Sequence, residues 1–481
     1  MEYSCTLLNA IFVPIIGAFI LPLAGRVSAV IRNTIAFGLI AASLIFSLKM
    51  LPAVSAGQTL VINKQFAFGL NFVLVADPLA VFMASISSFL STIILFYSFG
   101  YISHYENQNE YYFMVVLFLG AMMGLIFSAN LVLLYIFWEI TAITSWRLIG
   151  FFREKNHVLR ADKAFLLTAF GAITMLIGFV SLYQQAGSFD LSAIKASAQI
   201  HPIANFAVML ILFGILSKSA TLPFHTWLPD AGVAPSPVTA LLHAAILVKI
   251  GVYVFARIFV ATVTPAQFWQ TAVPVIAAVS AIVSAGAALM ETDLKRLIAY
   301  STVSQIGFIF FGLSVGNSLA IAGGLLYILM HGIAKAGLFL CAGIIEQNTK
   351  TKDITKLGGL INTMPVTAIS FLLCAFSVMG IPPFGGFFSK YMVFAGAIGA
   401  QKYWISLVFL IGAFMTILYL FRAFNLIFLG EAKMTHAKEG SLSMVTSVAI
   451  LGALSLLSGL TVYYPSKFVE MTVSHMLGVK F

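Results

Sequence analysis

Charge is scarce in this chain of 481 residues. Asp, Glu, Lys and Arg together make up 9% of it, where a soluble chain carries about a quarter. The deficit runs the whole length, which excludes a soluble domain held by a single anchor. Cysteine is scarce too. Cys5, Cys341 and Cys374 are scattered and form no CxxC pair, so zinc, iron–sulfur and disulfide frameworks have no support. Cys341 and Cys374 read as buried packing. Long hydrophilic stretches are missing as well. The interruptions near 51–75, 186–202, 346–362 and 430–443 each fall short of the ~50 residues of a small domain. There is no GxGxxG followed by an acidic residue, no P-loop and no HExxH, so nothing points to a cofactor or to a catalytic centre of the chain's own.

What is present is apolar: 61% hydrophobic residues and a mean hydropathy of +1.03. Cut into runs of about 20 residues, the sequence predicts roughly fourteen spans. They fall at 3–24, 30–50, 76–100, 111–127, 129–150, 163–186, 203–222, 236–260, 270–290, 295–315, 318–345, 363–398, 403–429 and 444–465. The expected fold class is an all-α polytopic membrane protein with the lipid bilayer as its solvent. The first run begins near Met1 without a basic lead or a small-residue cleavage site, so a retained helix is expected. The net charge of +10 would suggest nucleic acid in a soluble protein. Here the basic residues lie in loops, where the positive-inside rule accounts for them. One alternating set of loops holds Arg26, Arg32, Arg153, Lys155, Arg160, Lys163, Lys295, Arg296, Lys350, Lys352, Lys356, Lys433 and Lys438. The other holds Lys49, Lys64, Lys195, Lys402, Lys467 and Lys480, thirteen against six. The first set is expected in the cytoplasm and, for an even number of spans, both termini outside. Arg153 to Lys163 reads as a solvated topology signal, and Glu291, Asp293, Lys295 and Arg296 read the same way. Asp77, just before Pro78, reads as a helix cap.

Two spans are interrupted by proline in a similar style. One reads Leu222-Pro223-Phe224-His225; the other reads Gly380-Ile381-Pro382-Pro383-Phe384. Proline removes a backbone donor, which a bilayer tolerates only where protein or water satisfies the freed carbonyls. Paired breaks five spans apart fit an inverted repeat, and Lys218 and Lys390 stand close to them.

A charge at mid-bilayer costs ~2.5–3.5 kcal/mol even on insertion scales, so ionisable residues at that depth are candidates for function. They are Glu139, Lys218, His225, His243, Lys249, His331, Lys335 and Lys390. Each has a plainer alternative. Glu139 could be a satisfied carboxyl, Lys218 a snorkelling side chain, His225 a cap for loose carbonyls and His243 a core histidine. His243 and Lys249, six apart, do not share a helical face, whereas His331 and Lys335, four apart, do. A proton could pass between the latter two directly or through one water. Eight such groups read together as a titratable row. A metal site fits poorly, because the row holds one carboxylate and the lysines would repel a cation.

These residues sit in familiar surroundings. KSATLPFHTWLPDA at 218–231, APSPV at 234–238, ALLHA at 240–244, DLKRLIAYSTVSQIG at 293–307, HGIAKAGLFLCAG at 331–343, GIPPFGGFFSK at 380–390 and WEITAITSWRLIGF at 138–151 resemble one family. It comprises the antiporter-like subunits of complex I, of Mrp-type sodium/proton antiporters and of energy-converting membrane-bound hydrogenases. The resemblance implies fourteen helices: an N-terminal group in 1–110, two inverted five-helix repeats in 111–260 and 261–430, each with a broken helix, and a last helix and tail in 431–481. It implies a Glu139–Lys218 pair, a central Lys249, a connecting His331 and Lys335, and Lys390 at the second break. Arg147 departs from the family's apolar residue; it either snorkels or perturbs Glu139. The long lateral helix of the largest member is expected to be absent. The implied function is a proton-translocating subunit of a multisubunit complex in a prokaryotic inner membrane. Its partners would be other membrane subunits and a redox module with iron–sulfur clusters. The alternatives are a stand-alone sodium/proton antiporter and a non-conducting scaffold.

Overall fold

The computed structural model describes residues 2–66, 71–434 and 436–479; Lys480 lies outside the described residues. Helices dominate. The N-terminal group is α1 (Glu2–Ala18), α2 (Leu21–Val27), α3 (Ala29–Ser55) and α4 (Pro78–Tyr101), with α1 and α2 bent by 48° into one candidate span. Next come α5 (Gln108–Phe127), α6 (Leu131–Ile149), α7 (Lys155–Ala186), α8 (Leu191–Ile200), α9 (Asn205–Lys218), α10 (Trp227–Asp230), α11 (Ser236–Ala240) and α12 (Leu247–Phe255). Then follow α13 (Gln267–Met290), α14 (Leu294–Ser314), α15 (Ser318–Thr349), α16 (Pro365–Met379), α17 (Gly385–Gly399), α18 (Tyr403–Phe428), α19 (Leu442–Leu460) and α20 (Tyr463–Leu477).

Among the described residues, eleven helices are long and apolar enough to cross a membrane, or twelve with the bent pair; α9 and α16 are apolar but short. The chain is a polytopic membrane protein. It is not purely helical. Part of the hydrophilic interruption at 51–75 forms an antiparallel hairpin, β1 (Leu60–Gln65) on β2 (Asn71–Ala76), in register from Leu60 opposite Ala76 to Gln65 opposite Asn71.

The centre is marked by burial. The span Ser236–Val260 is 100% buried in its apolar window and Ser318–Thr349 94%, against 28% for Ala29–Ser55. The central span is also irregular. Ile246 N donates to Leu241 O at 2.9 Å, and Ala261 N to Ala256 O at 3.0 Å. These five-residue steps make π turns on either side of α12, a distortion frequent at functional sites.

Side-chain bonds gather alternate loops on two faces. On one face Arg32 donates to Asn109 (2.6 Å), Arg153 pairs with Glu110 (2.6 Å), Lys163 and Arg296 both reach Asp230 (2.7 Å each), and Lys352 reaches Asp293 (3.1 Å). On the other, Asn71 and Asn130 both donate to Asp190 at 2.7 Å, and Lys195 to the Ala261 carbonyl at 2.9 Å.

Two parts of the chain match bond for bond. Leu131 N donates to Phe189 O and Leu191 N to Ala129 O; 163 residues later Leu294 N donates to Lys352 O and Ile354 N to Thr292 O. At the proline breaks, Thr221 N reaches Leu216 O and Phe224 N reaches Thr221 O. Their counterparts 160 residues on are Ile381 N to Phe376 O and Phe384 N to Ile381 O. Leu222–Pro223 and Pro382–Pro383 are both cis.

Asp77 caps α4 as expected, accepting from Ala80 N at 2.9 Å. It also binds Arg257, a charge inside the central span that sequence reasoning passed over. Arg257 Nη2 donates to Asp77 Oδ1 at 2.8 Å, Nη1 to Oδ2, and the guanidinium also donates to Tyr253. Breaking such a buried pair on one side costs ~3–5 kcal/mol. Arg257→Met is therefore expected to lower the thermal midpoint in detergent sharply, and Asp77→Asn/Arg257→Met to recover most of the loss. Equal midpoints for the single variant and the parent chain would refute the pair as a stabilising element.

Candidate functional site

Lys218 occupies the last turn of α9 and is fully buried, so it does not snorkel. Its ammonium donates to the Trp138 carbonyl at 3.3 Å and stands 5.2 Å from the Trp138 ring centroid. Glu139 follows Trp138 on α6, within electrostatic reach of Lys218 and Tyr135. Unlike the lysine it is partly exposed, on the outer flank of the chain. Arg147 does not turn to Glu139: it pairs with Glu110, which also holds Arg153.

From Lys218 the row continues inward. Gly251 of α12 lies so close to α9 that a Cβ there would meet the Ile215 carbonyl at 2.5 Å, which brings the helix of Lys249 against the helix of Lys218. Lys249 is fully buried and its Nζ has no hydrogen-bond partner among the described residues. His243, in the first π turn, is likewise buried with both ring nitrogens unpartnered, and it packs on Phe339 at 4.5 Å. On α15, His331 is buried with neither nitrogen bonded. It stands within electrostatic reach of Lys249, Lys335, Lys390 and His243 together, which makes it the middle of the row.

Lys335 shares a face with His331 but is not bonded to it. Its ammonium donates to Ser301 Oγ at 2.5 Å and to the Ile298 carbonyl at 3.2 Å. From Ser301 a hydrogen-bonded chain runs on. Ser301 and Tyr419 are 2.7 Å apart, Tyr419 donates to Thr416 at 3.3 Å, Gln305 to Thr416 at 3.1 Å, and Tyr327 to Gln305 at 2.5 Å. Tyr327 returns to the row, its ring 5.7 Å from His331 and 5.4 Å from the Lys390 ammonium. Sequence reasoning missed all five of these side chains; only Gln305, an amide inside an apolar run, carried a legible signal.

Lys390 lies in α17, just past the second break. It donates to the Val378 carbonyl at 2.7 Å and faces the Phe308 ring at 4.8 Å. Val378 belongs to the last turn of α16, where carbonyls lack helical partners. His225, by contrast, is half-buried inside the first break with Nδ1 unpartnered, and its nearest charge is Lys163 on the basic face. The structure thus brings His243, Lys249, His331, Lys335 and Lys390 together, adds Lys218 with Glu139 at one flank, and leaves His225 apart.

One reading needs correction. Lys295 is not a solvated topology signal: it is 2% exposed and pairs with Glu346 at 2.5 Å. Arg296 and Asp293 are also tied, to Asp230 and Glu291 and to Lys352 respectively.

Residues 128–416 match the family described as NADH:quinone oxidoreductase/Mrp antiporter, transmembrane, and residues 65–112 match complex I chain 5, N-terminus. The chain belongs to this family. Among curated relatives it is 33% identical to Na(+)/H(+) antiporter subunit A1 of Staphylococcus haemolyticus, over 94% of this chain and 60% of that protein. It is 33% identical to the subunit A1 of Staphylococcus aureus MRSA252, over 86% and 56%. The chain thus spans about 60% of the length of these relatives. Among solved structures, a chain of the Mrp complex from Dietzia sp. DQ12-45-1b aligns at a TM-score of 0.90 with 21% identity, covering 98% of each chain. A chain of the membrane-bound sulfane sulfur reductase, an archaeal respiratory membrane complex, aligns at 0.90 with 22% identity over 98% and 97%. At that identity the likeness is one of fold.

An unpaired buried lysine is a stability cost that packing alone would remove. Lys249→Met, of similar volume, is expected to stabilise the protein by up to ~2.5–3.5 kcal/mol on the scale of mid-bilayer charge insertion, measured by thermal unfolding in detergent. A fall in midpoint would mean that Lys249 holds the fold together and would remove it from the row of functional groups.

Proposed function

We propose that this chain is a proton-translocating, antiporter-like subunit of a multisubunit membrane complex. The observation that carries the reading is the buried row. His243, Lys249 and His331 lie in the most buried helices with no hydrogen-bond partner among the described residues, next to Lys335 and Lys390, which are bonded only to carbonyls or a hydroxyl. A structural role would satisfy these groups. A proton relay needs them free to gain and lose a bond. On this reading Glu139 and Lys218 respond to a step in a partner. Protons then pass by way of Lys249, His243, His331 and Lys335 to Lys390, with Ser301, Tyr419, Thr416, Gln305 and Tyr327 as hydroxyl and amide steps between Lys335 and Lys390. Glu139, the partly exposed member, is where a neighbouring subunit would act.

The same reading counts α9 with α10, and α16 with α17, as two broken spans. With the twelve others they make fourteen helices, arranged as two inverted five-helix repeats. The matched bonds at offsets of 163 and 160 residues support that arrangement. The excess of Lys and Arg on one set of loops supports placing that face in the cytoplasm of a prokaryotic inner membrane.

The relatives' name, Na(+)/H(+) antiporter subunit A1, favours an Mrp-type assembly in which sodium moves against protons. The second reading is a redox module with iron–sulfur clusters as the driving partner, which rests on the motif resemblance. Purification from native membranes in mild detergent, with mass spectrometry of the co-purifying chains, separates them. Small hydrophobic partners alone are expected for the first, and iron–sulfur proteins for the second.

Lys390→Ala is expected to abolish proton movement in membrane vesicles, and Lys64→Ala, on the exposed hairpin, to leave it intact. Equal activity in the two variants would sink the relay.

A further inference from the structure

The relay as described has no connection to water on the basic face. A cavity of about 610 Å³ opens there between the ends of α4 and α15 and the 439–444 segment. Tyr101, His104, Tyr105, Glu346, Lys350 and Glu439 line it. Of these, Glu346 turns its carboxylate to the buried Lys295 at 2.5 Å. Lys295 in turn donates to the Ala234 carbonyl at 3.1 Å, at the start of the segment that carries Ser236 and His243.

Two tracks lead from that pair towards the row. Tyr97 and Tyr101 of α4 and Tyr105 just beyond its end form a ladder, with ring centroids 6.0 Å apart for Tyr105 and Tyr101 and 5.7 Å for Tyr101 and Tyr97. The inner rung, Tyr97, meets Ser236 at Gly343: a Cβ on that glycine would stand 2.5 Å from both the Tyr97 hydroxyl and Ser236 Cβ. On α15, Glu346 lies seven residues beyond Phe339, two turns along the same face, and Phe339 carries the His243 ring. His243 is 0% exposed, has both nitrogens unpartnered, and is within electrostatic reach of both Lys295 and Lys335. An imidazole in that position has no structural bond to make, yet it stands between the Lys295 side of the cavity and Lys335 of the row.

We infer that this cavity is the relay's mouth on the basic face, with the Glu346–Lys295 pair as its gate and His243 as the first acceptor behind it. The inference rests on the relay reading and adds its entrance. A proton from cavity water bonds to a Glu346 carboxylate oxygen, which weakens the pull on Lys295. The proton then leaves Glu346 along the hydroxyls of Tyr101, Tyr97 and Ser236 and the water between them. Each hydroxyl gains one proton and gives up one, and a ring nitrogen of His243 receives the last. Glu346 returns to the carboxylate and pairs with Lys295 again. One proton has moved inward, and Glu346 and each hydroxyl end with the number of protons they began with.

The test uses the assembled complex in inverted membrane vesicles, with proton movement read by a pH-sensitive dye. Glu346→Gln keeps the shape but cannot carry a proton, and is expected to slow transport by roughly tenfold or more, within the range of a lost acid–base group; Glu346→Asp is expected to restore most of it. Ser441→Cys lines the cavity. In a Cys5→Ser background, where the two remaining native cysteines are buried, it is expected to react with a membrane-impermeant thiol reagent from the basic face only. That reaction should stop transport in complexes already folded, so the thiol block decides the matter if Glu346→Gln fails to assemble. Lys335→Ala separates the two levels of the argument. If it abolishes transport while Glu346→Gln and the thiol-blocked variant run at the parent rate, the relay stands and its mouth lies elsewhere. If Lys335→Ala itself transports normally, the relay reading fails and this entrance fails with it.

Discussion

An ammonium or imidazole held in hydrocarbon must be bonded, paired or bathed in water, and the architecture of this protein follows from which of these each buried group receives. Arg257 is paired: Asp77 and Tyr253 surround it, and it can serve as a fixed tie between α4 and the central span. Lys249, His243 and His331 receive neither bond nor ion pair among the described residues. A sequence under selection for stability alone would not keep three such groups in its most buried helices, since apolar residues of similar size would pack there without the cost.

The broken helices answer the same constraint. A continuous helix offers a buried lysine nothing, because its carbonyls are already bonded within the helix. Ending α16 at Met379 frees carbonyls in its last turn, and Lys390 takes the one on Val378. The ammonium sits at the negative end of a helix dipole, with the Phe308 and Tyr327 rings beside it. Lys218 solves the problem differently, reaching across to the Trp138 carbonyl and ring of α6. Lys390 is held by a dipole and π faces with no bonded carboxylate, and Lys218 by a carbonyl and a ring with Glu139 within electrostatic reach but not bonded to it; such contacts release a charge more readily than a buried ion pair would.

The sequence made the row legible because charge is so rare in it. At 9% charged residues, each Lys or His inside an apolar run stands out, and the two proline motifs announce where backbone groups come free. What stayed hidden needed a partner far along the chain. Arg257 lies 180 residues from Asp77, and Lys295, next to loop residues, looked solvated until Glu346 appeared beside it. Ser301, Thr416, Tyr327 and Tyr419 are polar residues that membrane helices carry for many reasons, and only their mutual distances join them. The π turns leave no compositional mark. Length misled in one respect: the half-helices α9 and α16 are too short to pass as spans by themselves, yet the apolar runs that contain them are not.

The distribution of carboxylates gives the row a direction. On the proposed reading Glu139 and Glu346 stand at its edges, one on the outer flank beside Lys218 and one at the cavity beside Lys295, and the groups between them are lysines, histidines, hydroxyls and an amide. On that reading a proton in the interval meets no carboxylate that would trap it in a strong ion pair. What varies along the path is the charge at its two ends. A partner that shifts Glu139 from the flank, or water that protonates Glu346 from the cavity, therefore changes the field along the whole row while the packed helices around it stay still. On the proposed reading α15, whose apolar window is 94% buried, carries His331 and Lys335 at the centre of that path.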